Sequence, residues 1–356
     1  MRIAIVHPFT WTDVRRGGER YAHDLTWWLA QQGHEVDYVT GGPAHSITEQ
    51  DGARIVRLHH RHGERLTGWG VSKLETFGAA ALPWLRRNRY DVVHAFVPSA
   101  AIASRLARQR TVFTVIGHPG AELRRRERML FKRAVRAAHV ATALSFSAAE
   151  AIEDVTMRAV RIVHPGVRLD QFTPDLTART GPPRVLFAAN AGEPRKRVHD
   201  LLAAWPQVLN ALPDARLVIG GGGEFGWFLP ESAVGSVDVV GVGELEEVPQ
   251  RYREATVTVL PSEDEAFGLV LVESLACGTP VVACRSGGSP EIVSNDHVGA
   301  LVPVGDIAAL ADAVVATCKL AADPETPPRC THHALQWGWE VVGPQHVATY
   351  EAAIAA

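Results

Sequence analysis

The sequence predicts an α/β chain of two doubly wound, parallel-sheet domains that face each other across a cleft. Three observations carry this expectation. Short apolar, β-branched runs alternate with helical patterns roughly every 20–30 residues, the grammar of an open parallel sheet covered on both faces. The same grammar restarts at "PRVLFAAN" (183–190), after a Pro- and Gly-rich stretch with little apolar periodicity. The length of 356 residues suits about two domains of ordinary size.

The elements follow in order. "RIAIV" (2–6) reads as a buried parallel strand, being short, apolar and β-branched. A glycine-containing loop leads into a helix from about Gly18 to Gln32, stopped by Gly33. "EVDYVT" is the next strand, with further strands expected at 54–58, 90–96, 111–116 and 140–144. "HPGVRLDQFTPDLTARTGPP" (164–183) reads as a linker. Beyond it, strands are expected at 183–190, 215–220, 237–241, 255–261 and 279–284. From His333 to Ala355 the pattern is helical with no strand after it, which suggests a segment folding back to brace the first domain. The expected division is therefore 1–170, 171–332 and a returning helix at 333–356.

Composition narrows the function. Hydrophobic residues are 46% and charged residues 21%, as in globular proteins. A net charge of −3 gives no global basic signal for nucleic acid. The charges are nonetheless divided: 25 Lys and Arg against 16 Asp and Glu through residue 172, then 11 against 23. Such halves suggest domains with different partners. Four cysteines without a Cys-x-x-Cys pair read as buried thiols in a reducing compartment. The apolar run at the N-terminus is too short for a signal peptide, and none approaches the ~20 residues of a spanning helix. The expectation is a soluble, cytoplasmic protein.

Ligands of such sheets bind at the carboxyl ends of strands. "EDEAFGLVLVESLACGTPVV" (263–282) follows one of these ends and contains a helix expected to start near Phe267. That helix is apolar almost all round, yet carries Glu273 in its middle. A buried, unpaired carboxylate costs several kcal/mol, so Glu273 needs a partner. Helix N-termini offer free N–H groups to phosphate, and Gly268 lets a ligand approach the backbone closely. Glu273 lies five residues on, about 7–8 Å along the axis. A nucleotide with its phosphates at Gly268 and Leu269 would bring its ribose hydroxyls to Glu273, and a sugar beyond the phosphates to Glu265. A helix carboxylate bonded to a protein neighbour is the plainer alternative.

The motif "E-A-F-G-L-V-L-V-E" resembles the Glu-x7-Glu pattern of retaining glycosyltransferases of the GT-B fold, specifically family 4. "LAQQGHEV" (29–36), "VHPGVRLDQFTP" (163–174), "PSEDEAFGLVLVESLACGTPVVA" (261–283) and "GGSPEIV" (287–293) are similar to family segments in the same order. The resemblance covers nearly the whole chain. It implies two Rossmann-like domains, an N-terminal one for the acceptor and a C-terminal one for a nucleotide-sugar donor. It also implies retention of anomeric configuration, with no essential metal and no cofactor beyond the nucleotide diphosphate sugar as co-substrate.

Other residues take roles from that resemblance. In "NAGEPRKRVHDLL" (190–202), Lys196 aligns with a phosphate-binding lysine, while Ala189, Asn190 and Ala191 stand where the family has Gly-Arg. Arg195 is the candidate replacement. Cations here would neutralise the charge that grows on the leaving pyrophosphate. Gly17 and Gly18 resemble the family's glycine loop at the donor phosphates. His118 is the candidate for a histidine near the donor sugar, although Ile116 occupies the usual Thr-x-His position. Val242, in "VGVGELEEVPQRY" (240–252), is the candidate for reading a uracil edge through its backbone.

Decoys and rivals remain. "GGGEFG" (221–226) has the dinucleotide spacing, but Pro230 interrupts the helix such a site requires. "HHRH" (59–62) would alternate faces on a strand end and reads as surface. "ELRRRERMLFKR" (122–133) is a basic helix that suits either solvent or an anionic membrane. The favoured reading is transfer of a hexosyl unit from a UDP-sugar, with GDP second, to a hydroxyl of a small soluble acceptor. The tryptophans of the first half (Trp11, Trp27, Trp28, Trp69, Trp84) offer faces for a sugar ring. A peripheral membrane enzyme with a lipid acceptor, and a binding module without turnover, are the alternatives.

Overall fold

A computed structural model of the chain describes every residue except 12, 61–72, 120–124, 176, 224–230 and 244–246, and omits the side chains of 73–75 and 232. The chain divides into two compact units: Met1–Gly166 with Trp339–Ala356, and Val167–Gly338. The divisions thus fall at 166/167 and 338/339, because Val167 bridges to Gly338 and its N–H bonds Trp337 O at 2.9 Å.

Unit 1 contains strands β1 (Arg2–Val6), β2 (Glu35–Gly42), β3 (Ser46–Gln50), β4 (Ala53–His59), β5 (Val92–Ala95), β6 (Thr111–Val115), β7 (Val140–Ala143) and β8 (Arg161–Ile162). They form one sheet in the order β3-β4-β2-β1-β5-β6-β7-β8. All pairs are parallel except β3 with β4. The central strands are Val-, Ile- and Ala-rich because both faces are covered. Helices α1 (Gly17–Gln31), α2 (Lys73–Arg87), α3 (Pro98–Leu106), α4 (Arg125–Ala137) and α5 (Phe146–Thr156) supply that cover. Phe77, Leu85, Phe113, Phe131 and Ile152 pack in one of the resulting cores.

Two polar clusters interrupt the apolar packing. Asp37, 1% exposed, receives Arg54 Nε at 2.7 Å, Arg54 Nη2 at 2.6 Å and Tyr90 Oη at 2.6 Å. Every buried lone pair so engaged escapes the cost of desolvation. The second cluster surrounds His94 on β5, whose Nδ1 is hydrogen-bonded to Tyr350 Oη at 2.9 Å and whose Nε2 is bonded to Thr114 Oγ1 at 2.6 Å.

Unit 2 contains β9 (Arg184–Phe187), β10 (Arg216–Ile219), β11 (Val237–Val239), β12 (Val257–Leu260), β13 (Val281–Cys284) and β14 (Gly299–Val302). Their order is β11-β10-β9-β12-β13-β14, with every pair parallel. Its helices are α6 (Val198–Ala211), α7 (Glu231–Val234), α8 (Glu247–Glu254), α9 (Leu269–Ala276), α10 (Ser289–Ile292), α11 (Ile307–Leu320) and α12 (Thr326–Ala334). The stretch read as a linker is anchored: Phe172 is 1% exposed, and Arg253 donates to Gln171 O at 3.0 Å and Thr173 O at 2.7 Å.

The helical run expected at His333–Ala355 is broken. α12 ends at Ala334, a 3₁₀ turn covers Leu335–Trp337, and Gly338 is extended at φ −66°, ψ 149°. α13 (Trp339–Ala355) then packs in unit 1 against α1, with Trp339 stacked on Trp28 at 6.2 Å and on Tyr21 at 6.3 Å.

Candidate functional site

The order of the unit 2 sheet runs in opposite senses from β9 and β12, which are neighbours. A crevice opens at the carboxyl ends of such a strand pair. The segments that leave β9 and β12 carry Arg195, Lys196, Glu265, Phe267, Gly268 and Leu269. They are tied together by their backbones, since Glu263 N donates to Arg195 O at 2.8 Å.

Lys196 ends a 3₁₀ turn, Pro194–Lys196, and its Nζ lies 2.5 Å from Glu265 Oε2. Glu265 is 8% exposed. Burial pushes its pKa up, but the charges of Lys196 and Arg195 outweigh burial and hold it below the usual value. The Glu265 backbone is fixed as well. Gly288 N donates to Glu265 O at 2.7 Å, and a Cβ on Gly287 would lie 2.1 Å from that oxygen. The "GGSPE" segment therefore needs glycine there.

Arg195, the candidate replacement for the family's arginine, is bonded within its own loop. Its Nε bonds Glu193 Oε1 at 2.5 Å, Nη1 is 3.8 Å from Glu265, and the side chain is 41% exposed. Asn190 is also spoken for: its Oδ1 accepts from Gly192 N at 3.1 Å, an Asx turn that shapes the loop.

α9 begins at Leu269, two residues later than the sequence suggested, because Gly268 adopts φ 108°, ψ 48° and serves as its cap. Glycine takes this left-handed conformation at little cost and brings no side chain to the first helical N–H groups. Phe267 is buried, with its ring edge-on to Trp337 at 6.4 Å.

Glu273, 4% exposed, accepts a 2.8 Å hydrogen bond at Oε2 from Tyr252 Oη. Part of the answer to the carboxylate in an apolar helix is thus a tyrosine on α8, which no motif announces. Tyr252 is itself 1% exposed and packed edge-on by Phe172 at 5.9 Å. Tyr252→Phe removes the donor but keeps the ring. We predict a loss of about 1–3 kcal/mol in unfolding free energy, read by urea titration.

The remaining candidates fall in two places. Val242, 39% exposed, follows β11 between Gly241 at φ 66° and Gly243 at φ 72°. In unit 1, Gly17 and Gly18 already belong to α1, and a Cβ on Gly18 would sit 2.7 Å from Ile116 Cδ1. His118 follows β6; its Nε2 is 3.4 Å from Ser147 Oγ, and its buried Nδ1 has no hydrogen-bond partner among the described residues.

Several secondary readings are also resolved. Trp28 is packed on Trp339, Trp84 Nε1 donates to Tyr90 Oη at 2.9 Å, and Arg20 lies over Trp11 at 5.3 Å. Trp69 lies outside the described residues. Of "HHRH", His59 bonds Pro43 O at 2.7 Å and His60 bonds Thr76 Oγ1 at 3.0 Å; 61 and 62 lie outside the described residues. The glycines of "GGG" are explained by packing, since a Cβ on Gly221 would meet Ala189 O at 1.4 Å; residues 224–226 lie outside the described residues. Among the described residues no group of three or more His, Cys, Asp or Glu could hold a metal ion.

Comparison with known proteins decides the family. A model described as "Glycosyltransferase Family 4" matches residues 15–171, and one described as "Glycosyl transferases group 1" matches 182–319. The chain belongs to glycosyltransferase family 4. Its two α/β units have the GT-B fold. The family 4 chain is 36% identical to a D-inositol 3-phosphate glycosyltransferase of Streptomyces bingchenggensis over 207 residues, 51% of this chain and 45% of that protein. The match therefore spans about half the length of that relative. A phosphatidyl-myo-inositol mannosyltransferase of Propionibacterium freudenreichii is 27% identical over 99% of this chain and 95% of its own. In fold, the chain is similar to sucrose-phosphate synthase of Thermosynechococcus elongatus, with TM-score 0.83, 23% identity and 99% of each chain covered. It is also similar to HepE of Anabaena, solved in complex with UDP-glucose, with TM-score 0.73, 17% identity and coverage of 99% of this chain and 100% of that one.

Proposed function

We propose that this family 4 protein is a retaining, metal-independent glycosyltransferase. It moves a hexosyl unit from a nucleotide diphosphate sugar, a UDP-sugar, to a hydroxyl of a small soluble acceptor. One observation carries the reading: the part-buried Lys196–Glu265 pair joins the segments that leave β9 and β12, and the second of these leads into the glycine-capped α9. A diphosphate ester would accept hydrogen bonds from the first N–H groups of α9 and charge from Lys196. The hexose would lie at Glu265 and the ribose at Glu273.

In this mechanism the bond between the anomeric carbon and the phosphate oxygen breaks. The acceptor oxygen forms its bond on the same face of the sugar. The acceptor proton passes to the departing phosphate, and the nucleoside diphosphate leaves. Lys196 matters most as that bond lengthens, because negative charge then collects on the leaving oxygen. The soluble acceptor draws support from the relative that acts on inositol 3-phosphate, by its name.

Thermal-shift screening against UDP-, GDP- and ADP-sugars tests the donor, since bound ligand raises the melting temperature. Glu273→Ala is expected to raise the donor KM by roughly ten- to a hundredfold, the loss of hydrogen bonds from a charged acceptor, with a smaller change in kcat. An unchanged donor KM in a folded variant would remove Glu273 from the ribose site.

A second reading, a lipid acceptor at a membrane surface, is favoured by α4. Its Arg125, Arg126, Arg128, Arg133 and Arg136 are exposed, while Phe131, Ala134 and Val135 are buried against the unit. The relative matched over nearly its whole length is named for phosphatidyl-myo-inositol. Arg124 and the rest of 122–124 lie outside the described residues. Charge reversal at Arg125, Arg126 and Arg128 should abolish co-sedimentation with anionic vesicles under this reading, and change nothing under the first. No described helix is long and apolar enough to cross a membrane.

A further inference from the structure

A side chain on α8 ties down the turn that follows β11. Arg251, on α8, donates from Nη1 to Gly241 O at 2.6 Å and to Gly220 O at 3.2 Å, and from Nη2 to Val240 O at 3.4 Å. One guanidinium therefore gathers carbonyls from the carboxyl ends of both β10 and β11. Its planar fork suits this task in a way that an ammonium does not. Glu247, one helical turn earlier, approaches Nη2 at 3.5 Å and helps to aim it.

The turn has been shaped around that guanidinium. A Cβ on Gly243 would lie 2.4 Å from Arg251 Nη2, so only glycine permits the approach. Gly241 and Gly243 both have positive φ, at 66° and 72°, on either side of the exposed Val242. From the other side, the turn meets the glycine segment after β10: a Cβ on Gly222 would lie 2.9 Å from Val242 Cγ2. That segment is in turn tied to the one after β9, where Ala191 N donates to Gly222 O at 2.7 Å. Three successive strand ends thus form one connected wall, and Arg251 fastens its outermost part.

We propose that Arg251 is a positioning residue for nucleobase selection: it holds the 240–243 turn in the shape in which the Val242 backbone meets the base. The inference rests on the donor reading above. Arg251 itself faces protein carbonyls and acts through the turn. Loosening the turn should therefore cost discrimination between bases and spare the grip on phosphate, which belongs to Lys196 and α9.

The test uses the full chain with Arg251→Lys, Arg251→Met and Gly243→Ala, each checked by thermal melting. Calorimetry gives Kd for UDP, GDP and inorganic pyrophosphate. The expected result is a loss of about tenfold in affinity for the preferred nucleotide, worth one or two hydrogen bonds to the base. The UDP-to-GDP ratio should collapse toward one in all three variants, with pyrophosphate affinity unchanged. Gly243→Ala keeps the test open if the Arg251 variants do not fold, because it displaces the guanidinium without removing it. Folded variants that bind both nucleotides more weakly at an unaltered ratio would make Arg251 merely structural and overturn the inference alone. A wild-type protein that binds neither nucleotide would overturn the donor reading, and this inference with it.

Discussion

Lys196→Ala is expected to lower kcat by roughly 10²–10³, with donor KM changed far less. The asymmetry follows from where charge develops. Under the proposed reading the diphosphate is already charged in the ground state and would also be held by α9, so losing one ammonium should cost modest affinity. In the transition state the bridging oxygen gains charge, and a point charge within a buried site stabilises it strongly. A second consequence is specific to this geometry. Lys196 is the nearest cation to Glu265, at 2.5 Å, while Arg195 stands at 3.8 Å. Without Lys196, burial dominates and the Glu265 carboxyl protonates at higher pH than in the wild type. The acidic limb of the kcat–pH profile should therefore move upward in Lys196→Ala. Glu265→Gln added to Lys196→Ala should cost less than the product of the two single effects, because the pair acts as a unit. Unaltered turnover in the single variant would remove Lys196 from the leaving-group site.

How much of this was legible in the sequence depends on the kind of signal each residue leaves. The central strands were readable because a parallel strand buried on both faces must be a short apolar run, as in "RIAIV" and "VTVL". β3 was missed because it is wholly exposed and carries no apolar alternation. Its signal lay in the turn instead, where Asp51 and Gly52 have φ of 52° and 82° between β3 and β4. β8, of two residues, was too short to stand out, and β14 begins on a glycine and is half-buried at its two middle residues, so it lacks the apolar β-branched run of its neighbours. In the candidate site, charged residues in a segment after a strand could be read directly, and Lys196 and Glu265 are indeed together. Tyr252 and Arg251 could not be read that way. Each sits on a polar helix in ordinary spacing, and each matters only through a partner distant in sequence: Glu273 for one, the strand-end carbonyls for the other. Arg195 shows a similar gap: a basic run does not announce that Glu193, two residues away, is within reach and bonds it.

Acid should unfold unit 1 before unit 2. Burial lowers the pKa of His7 and of His346 from 6.5 to about 4, each against a weaker opposing backbone hydrogen bond. Burial also drives His94 well below 6.5, with the charge of His346 adding to the effect. All three belong to unit 1 and are at most 2% exposed. The sign follows from proton counting. Above pH 6.5 both folded and unfolded chains hold these rings neutral, so stability is complete there. Between 6.5 and about 4 the unfolded chain binds protons that the folded chain refuses, and stability falls by up to about 1.4 kcal/mol per group per pH unit. Two and a half units make this about 3 kcal/mol each for His7 and His346, a large part of the ~5–15 kcal/mol that a domain commonly has. Glu265 in unit 2 works in the opposite direction: its pKa lies below 4.5, so its contribution is intact above that value and is lost only beneath it. Calorimetric scans from pH 7.5 to 4.5 should therefore show a transition that moves down steeply and separates from a nearly stationary one. Protonation at His94 would force Thr114 Oγ1 and Tyr350 Oη both to accept, which alters the network that joins α13 to the sheet, since an imidazolium offers two donors and no acceptor. His346→Gln should flatten the pH slope of the first transition even where it lowers the melting temperature at neutral pH. Two transitions that fall together, or a slope indifferent to that substitution, would show that these rings do not govern the acid limit.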